Sequence, residues 1–203
     1  MSTNNIPLEL KQNYIDSAVS EDTLVVRRHI DNLVVSSSSS FSNVSTKSYK
    51  TKLVSKPTVE EVLFDARANI KVLTSALSMH LDDGFRRSLF EQIDLIHDPD
   101  DWDETDSPIN SDTFKSFIRW YILNSPGVKP GYGLSSTGNI IAMWFNNKDK
   151  LLIEFFPYDK ARWLVSKVVA DDEFERASGT AKISRLLDVL APYSPNDFFR
   201  RKE

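Results

Sequence analysis

A chain of 203 residues with 40% hydrophobic and 11% aromatic side chains has a globular composition, and at this length roughly 70% of the unfolded surface can be buried without a disulfide or a metal. Cysteine is absent, which excludes disulfides, thiol nucleophiles and thiolate metal sites and fits a reducing compartment. The formal net charge is -4, with 25 basic against 29 acidic side chains, so the overall balance disfavours nucleic acid as a partner.

Met1 to Asn5 carry neither a basic nor an apolar leader pattern, and no stretch approaches the roughly 20 apolar residues a membrane span requires, so the expectation is a cytoplasmic protein without a membrane anchor. Residues 1–56 read as a flexible, serine-rich arm. The run Ser36 to Ser40 cannot bury enough apolar surface to offset its ordering entropy, while Thr23 to Arg27 and Leu33 to Val35 are short β-prone fragments within it.

Residues 57–203 read as one α+β domain. Thr58 and Glu61 have capping-box spacing, and Val59, Val62, Leu63, Ala66, Ile70, Leu73 and Leu77 lay an apolar stripe along the helix that follows. A second helix begins at Asp82 or Asp83 and buries Phe85, Leu89, Phe90, Ile93 and Ile96; the short connection predicts a helical hairpin with the first. A third starts at Asn110 or Ser111, carries Phe114, Phe117, Ile118 and Tyr121, and stops at Ser125-Pro126-Gly127. Trp120 and Ile122 widen its apolar face, as expected of a helix packed on two sides.

After a connector at Pro126 to Gly138 the period changes to that of strands. Ile140 to Phe145, Leu151 to Phe156 and Ala161 to Val169, separated by turns at Asn146 and Pro157, predict a three-stranded antiparallel β-meander on which the helices pack. A C-terminal helix carries Ile183, Leu186, Leu187 and Leu190, and Phe198-Phe199 lies among charges in the tail.

Candidate chemistry is sparse. The acidic loop from Asp98 to Asp106 offers oxygen ligands, but EF-hand spacing fails in either register: Trp102 falls on a ligand position counted from Asp98, and Asp106 on the obligatory glycine counted from Asp101. No metal and no cofactor are expected, and Trp102 reads as an anchor. His29, His80 and His97 are scattered, Gly131-Tyr132-Gly133 lacks the rest of a dinucleotide fingerprint, and there is no nucleophile elbow. Glu154, inside the apolar run Leu152 to Phe156, is the titratable residue of interest. Alternation places Leu151, Ile153 and Phe155 inward and Leu152, Glu154 and Phe156 on a partly covered opposite face.

Trp102-Asp103, Ser107-Pro108-Ile109, the aromatic helix, Gly138-Asn139-Ile140 leading to Trp144, and Leu152-Ile153-Glu154-Phe155 together resemble a module of small uncharacterised bacterial proteins, over residues 57–168. Glu104 and Asp106 replace glycines of that pattern. The resemblance implies a shared fold and no activity.

The expected function is that of a non-enzymatic, protein-binding regulatory subunit of a small bacterial operon, antitoxin-like, with a partner encoded nearby and homo-oligomers allowed. Strand addition by Leu24, Val25, Val26, Arg27 and Arg28 and electrostatic docking by Asp100, Asp101, Asp103 and Glu104 would make the contact. One alternative is a small enzyme or ligand binder using Glu154 and the loop carboxylates. Another is a nucleic-acid accessory protein using Arg27-Arg28 and Arg200-Arg201-Lys202.

Overall fold

The structure, a computed structural model, describes residues 56–103, 105–170 and 173–200. Helix α1 (Val59–Ala76) starts from a complete capping box: the Glu61 amide donates to Thr58 Oγ1, and the Thr58 amide donates to the Glu61 carboxylate. Its first turns are exposed at Val59 and Val62, and the buried stripe is the narrower set Leu63, Ile70 and Leu73, continued by Leu77 at the C-cap. Helix α2 (Asp83–Ile96) is capped by Asp82, which accepts from the Phe85 amide, and buries Phe85, Leu89 and Ile93. Lys71 of α1 bridges to Asp94 of α2 at 2.6 Å.

Helix α3 (Ser111–Asn124) is the centre of the core. Asn110 caps it by accepting from the Asp112 and Thr113 amides, and Ser125 ends it in the left-handed region at φ 41°. Thr113, Phe114, Phe117, Ile118, Trp120 and Tyr121 are all buried, a face too wide for one neighbour, and the helix is packed on two sides as its composition predicts. Toward α2, Tyr121 stacks on Phe85 at 3.8 Å; toward the sheet, Phe117 and Trp120 meet Phe155 at 5.4 and 5.7 Å.

The sheet has five antiparallel strands in sequential order, β1 (Gly131–Leu134), β2 (Ile140–Asn146), β3 (Asp149–Phe156), β4 (Lys160–Ala170) and β5 (Glu173–Lys182). The expected meander of three strands is therefore correct for β2 to β4 but lacks both edges. Gly131-Tyr132-Gly133 reads as a turn, yet it pairs with Ile141 to Met143 because Tyr132 inserts its ring between Phe85 and Phe117. On the open side of that edge, the Tyr132 amide donates to Gln92 Oε1 of α2 at 2.8 Å, so the short strand is covered rather than left as a template.

At the other edge, β5 has no apolar run to announce it. On its inward side Ala177, Gly179 and Ala181 are small, and the Trp163 indole of β4 lies against Gly179, where a Cβ would sit 2.9 Å from the ring. The most exposed strand is thus β5. Ile140, Ala142, Trp144, Leu151, Ile153, Phe155, Ala161, Trp163 and Val165 form the buried side of the sheet.

The C-terminal helix is shorter than its pattern suggests. Ile183–Arg185 is a 3-10 turn, and α4 (Leu186–Leu190) buries Leu186 and Leu190 while Leu187 is exposed. A last turn, α5 (Asn196–Phe199), returns Phe198 and Phe199 to the body, with Phe199 edge-on to Trp144 at 5.1 Å and to Trp120 at 5.8 Å. No helix among the described residues is long and apolar enough to cross a membrane.

Candidate functional site on the open face of the sheet

The acidic loop is built from local hydrogen bonds. Asp98 accepts from the Asp100 amide and starts the 3-10 turn Pro99–Asp101, and Asp103 accepts from the amide and hydroxyl of Thr105, bonds that hold its carboxyl below the usual range. Asp100, Asp101 and Asp103 are exposed, and Glu104 lies outside the described residues, as do Leu24, Val25, Val26, Arg27 and Arg28. Among the described residues no group of three or more histidines and carboxylates is arranged to hold a metal ion.

What fixes this loop is His97, at the C-terminal end of α2. Its buried imidazole meets the Ile93 carbonyl through Nδ1 at 2.9 Å, and Nε2 accepts from the Ile109 amide at 3.1 Å, which assigns the proton to Nδ1. Trp102 stacks on the same ring at 5.7 Å and 12°, the anchoring role its position suggests. Two further bonds, from the Ser107 amide to Ser136 O and from the Asn110 amide to Gly138 O, tie the loop to the β1–β2 turn.

Protonating His97 would turn the Nε2 acceptor into a donor aimed at another N–H. Burial accordingly holds its pKa below 6.5, so the unfolded chain binds the proton more readily than the folded one. The His97 contribution is complete above pH 6.5 and is lost as pH falls below it. Urea titrations at pH about 7.5 and 5 should show the wild type losing about 1–3 kcal/mol more than His97→Gln, which has no proton to gain. Equal losses would contradict the latch.

Glu154 of β3 lies on the side of the sheet away from the helices, as alternation predicts, but it is buried, 3% exposed, rather than partly covered. Asn139 Nδ2 donates to its Oε1 at 3.1 Å, and Arg162 Nε and Nη2 both donate to Oε2. The Arg162 side chain remains 62% exposed. Glu154 therefore holds a guanidinium in place on the surface, while Asp103 bonds within its own turn. A cavity of about 750 Å³ bounded by Gly127, Leu187, Pro195 and Arg200 involves neither group. Glu154→Gln keeps the shape and should cost only about 1–2 kcal/mol in urea denaturation, because Arg162 retains its water contacts.

Strand register shows what shares that face. Every ring contact between a described helix and the sheet reaches the opposite side, at Tyr132, Trp144, Phe155 or Trp163. On the outer side, Phe145 stands opposite Lys150, Leu152 opposite Leu164, Glu154 opposite Arg162, and Phe156 opposite Lys160. Lys160 in turn opposes Lys182, Ser166 opposes Arg176 and Val168 opposes Phe174 on β5. Lys150, Lys160, Arg162, Arg176 and Lys182 are all exposed, and the carboxylate among these outer positions is Glu154, already neutralised by Arg162.

Aromatic planes alternate with these cations. Phe145 is 56% and Phe174 44% exposed, Lys150 Nζ lies 5.9 Å from the Phe145 centroid, and Lys160 Nζ and Arg162 Cζ lie 5.5 and 5.9 Å from that of Phe156. Between them Met143, Leu152 and Leu164 make a half-exposed apolar floor, and Gly131 and Gly133 leave the β1 end without side chains. Sequence reading finds Glu154 but not this face. Four of the five cations are contributed by β4 and β5, and a pattern of alternate residues becomes a surface only once those strands are paired.

Comparison of the chain with protein-family models, with curated proteins and with solved structures gives no match.

Proposed function

We propose that this chain is a non-enzymatic binding protein whose working surface is the outer face of the five-stranded sheet, and that its partner is anionic. The observation that carries this is the segregation of charge: five exposed cations share the outer face with one carboxylate, Glu154, which Arg162 pairs, leaving an excess of four positive charges in a chain whose net charge is -4. Acidic groups such as Asp98, Asp100, Asp101 and Asp103 gather instead on the loop latched by His97. A like-signed loop and an opposite-signed face steer one partner onto one surface.

The expected partner-binding residues thereby shift from the acidic loop to β3, β4 and β5. A regulatory, subunit-like role for the protein fits a surface that binds without chemistry.

Retention on immobilised heparin at low salt and neutral pH tests the reading. The full-length protein should be retained despite its acidic pI, Arg176→Glu/Lys182→Glu should elute early, and Asp100→Asn/Asp101→Asn should stay close to wild type. Flow-through of the wild type, or retention indifferent to the β5 pair, would contradict it.

A further inference from the structure

We infer that the outer face binds single-stranded nucleic acid, with bases stacking on Phe145, Phe156 and Phe174 and phosphates meeting Lys150, Lys160, Arg176 and Lys182. The inference rests on the reading of this face given above and advances from its charge to its ligand.

The aromatic rings decide the ligand class. A polyanion such as an acidic peptide needs cations at suitable spacing, but it gains nothing from a flat apolar plane beside each one. A nucleotide brings both parts, a negative phosphate and a planar base. Here Phe145 faces Lys150 directly across β2 and β3, Phe156 faces Lys160 across β3 and β4, and Phe174 lies two residues from Arg176 on β5. Each cation–ring separation of 5.5–5.9 Å is loose enough for the ammonium to swing to a phosphate while a base takes the plane.

Dimensions and chemistry favour a single strand. From Lys150 to Phe156 is about 20 Å along β3, and five strands span about 19 Å across, room for on the order of four nucleotides. A duplex hides its base planes in its own stack, so exposed phenylalanines have nothing to meet there; unpaired bases present theirs. The face is broad and shallow, its apolar floor of Met143, Leu152 and Leu164 meets any base alike, and its buried Asn139 and Glu154 are engaged with each other and with Arg162, so binding is tolerant of base sequence.

At the rim, Tyr158 is 95% exposed in the β3–β4 turn and lines a recess of about 500 Å³ with Lys160, Thr180 and Lys182, which offers a fourth plane beside two of the cations. Asp159, in the same turn, is engaged with Ser184. Arg162, fixed by Glu154, supplies a planar guanidinium at the centre of the face.

Fluorescence anisotropy with the full-length protein tests this. The probes are 5′-labelled 20-mers of uridine and of thymidine, and the unlabelled competitors are duplex DNA and poly-L-glutamate. Both single strands should bind, and both competitors should displace them poorly. With about four phosphate contacts, affinity should fall about 50-fold between 50 and 200 mM salt. Phe145→Ala and Phe174→Ala, truncations of exposed rings, should each weaken binding about 5- to 150-fold while leaving heparin retention unchanged. Lys150→Glu provides a second, charge-based variant and should weaken both.

Absence of binding to either oligonucleotide would overturn the inference, as would affinity indifferent to the two phenylalanines. Displacement by poly-L-glutamate as effective as by the unlabelled oligonucleotide would overturn it in favour of an acidic protein partner, while leaving the face as the working surface. Failure of heparin retention, by contrast, would remove the face itself.

Discussion

Replacing Trp144 by alanine should destabilise the domain by about 3–5 kcal/mol, the cost of emptying the largest fully buried side-chain volume in the described core. The indole is placed by β2 but serves three elements. It meets Trp120 of α3 at 5.9 Å and Phe199 of α5 at 5.1 Å, and its Nε1 donates to the Val128 carbonyl at 3.0 Å. Truncation therefore opens a cavity, orphans a carbonyl and removes the surface on which the C-terminal turn rests. Trp144→Phe keeps most of the volume and should cost less, mainly the lost hydrogen bond at about 1 kcal/mol. Urea denaturation measures both; an alanine cost below about 1 kcal/mol would mean that α5 does not depend on β2.

Gly138→Ala should be comparably severe, about 3 kcal/mol or more, or should leave the chain unable to fold. Two causes act together. Gly138 sits at φ 76°, where a side chain is strained, and a Cβ built there would lie 2.2 Å from the Pro108 carbonyl oxygen. The surrounding chain cannot yield, because Gly138 O accepts from the Asn110 amide and Ser136 O from the Ser107 amide. Gly138→Asn separates the causes: asparagine tolerates the left-handed region but not the clash, so it should fare no better than alanine. Stability equal to wild type in either variant would show that the loop and the β1–β2 turn are not held in contact.

Much of this architecture is legible in the sequence. The capping box at Thr58, the asparagine cap at Asn110, the stop at Ser125 and the three apolar strands all lie where local chemistry puts them, since each depends on residues within one turn or one strand. The edges are not legible for the opposite reason. β1 is a strand because Tyr132 fills a gap between helices about 40 residues upstream at Gln92 and nearby in α3, and β5 because Gly179 fits beneath Trp163. Neither partner is local, so neither leaves a periodic apolar signature.

The site follows the same division. Glu154 stands out in sequence as a carboxylate in an apolar run, but its partners Asn139 and Arg162 are brought in by two neighbouring strands. His97 carries no motif at all; its role needs the Ile109 amide, 12 residues on, to reach its ring. Net charge is uninformative about local surfaces for a related reason. The sum over 203 residues averages the acidic loop against the basic face and hides both. Only pairing places Lys150, Lys160, Arg176 and Lys182 together.

The claim that the outer sheet face is the surface at work is tested most directly by lysine acetylation footprinting of the full-length protein, alone and in an extract of its native host. Lys150, Lys160 and Lys182 should be protected in the extract, while Lys71 and Lys115, held by Asp94 and Asp112 on the helices, should react at unchanged rates. Protection confined to the helix lysines, or none on β3, β4 and β5, would contradict it.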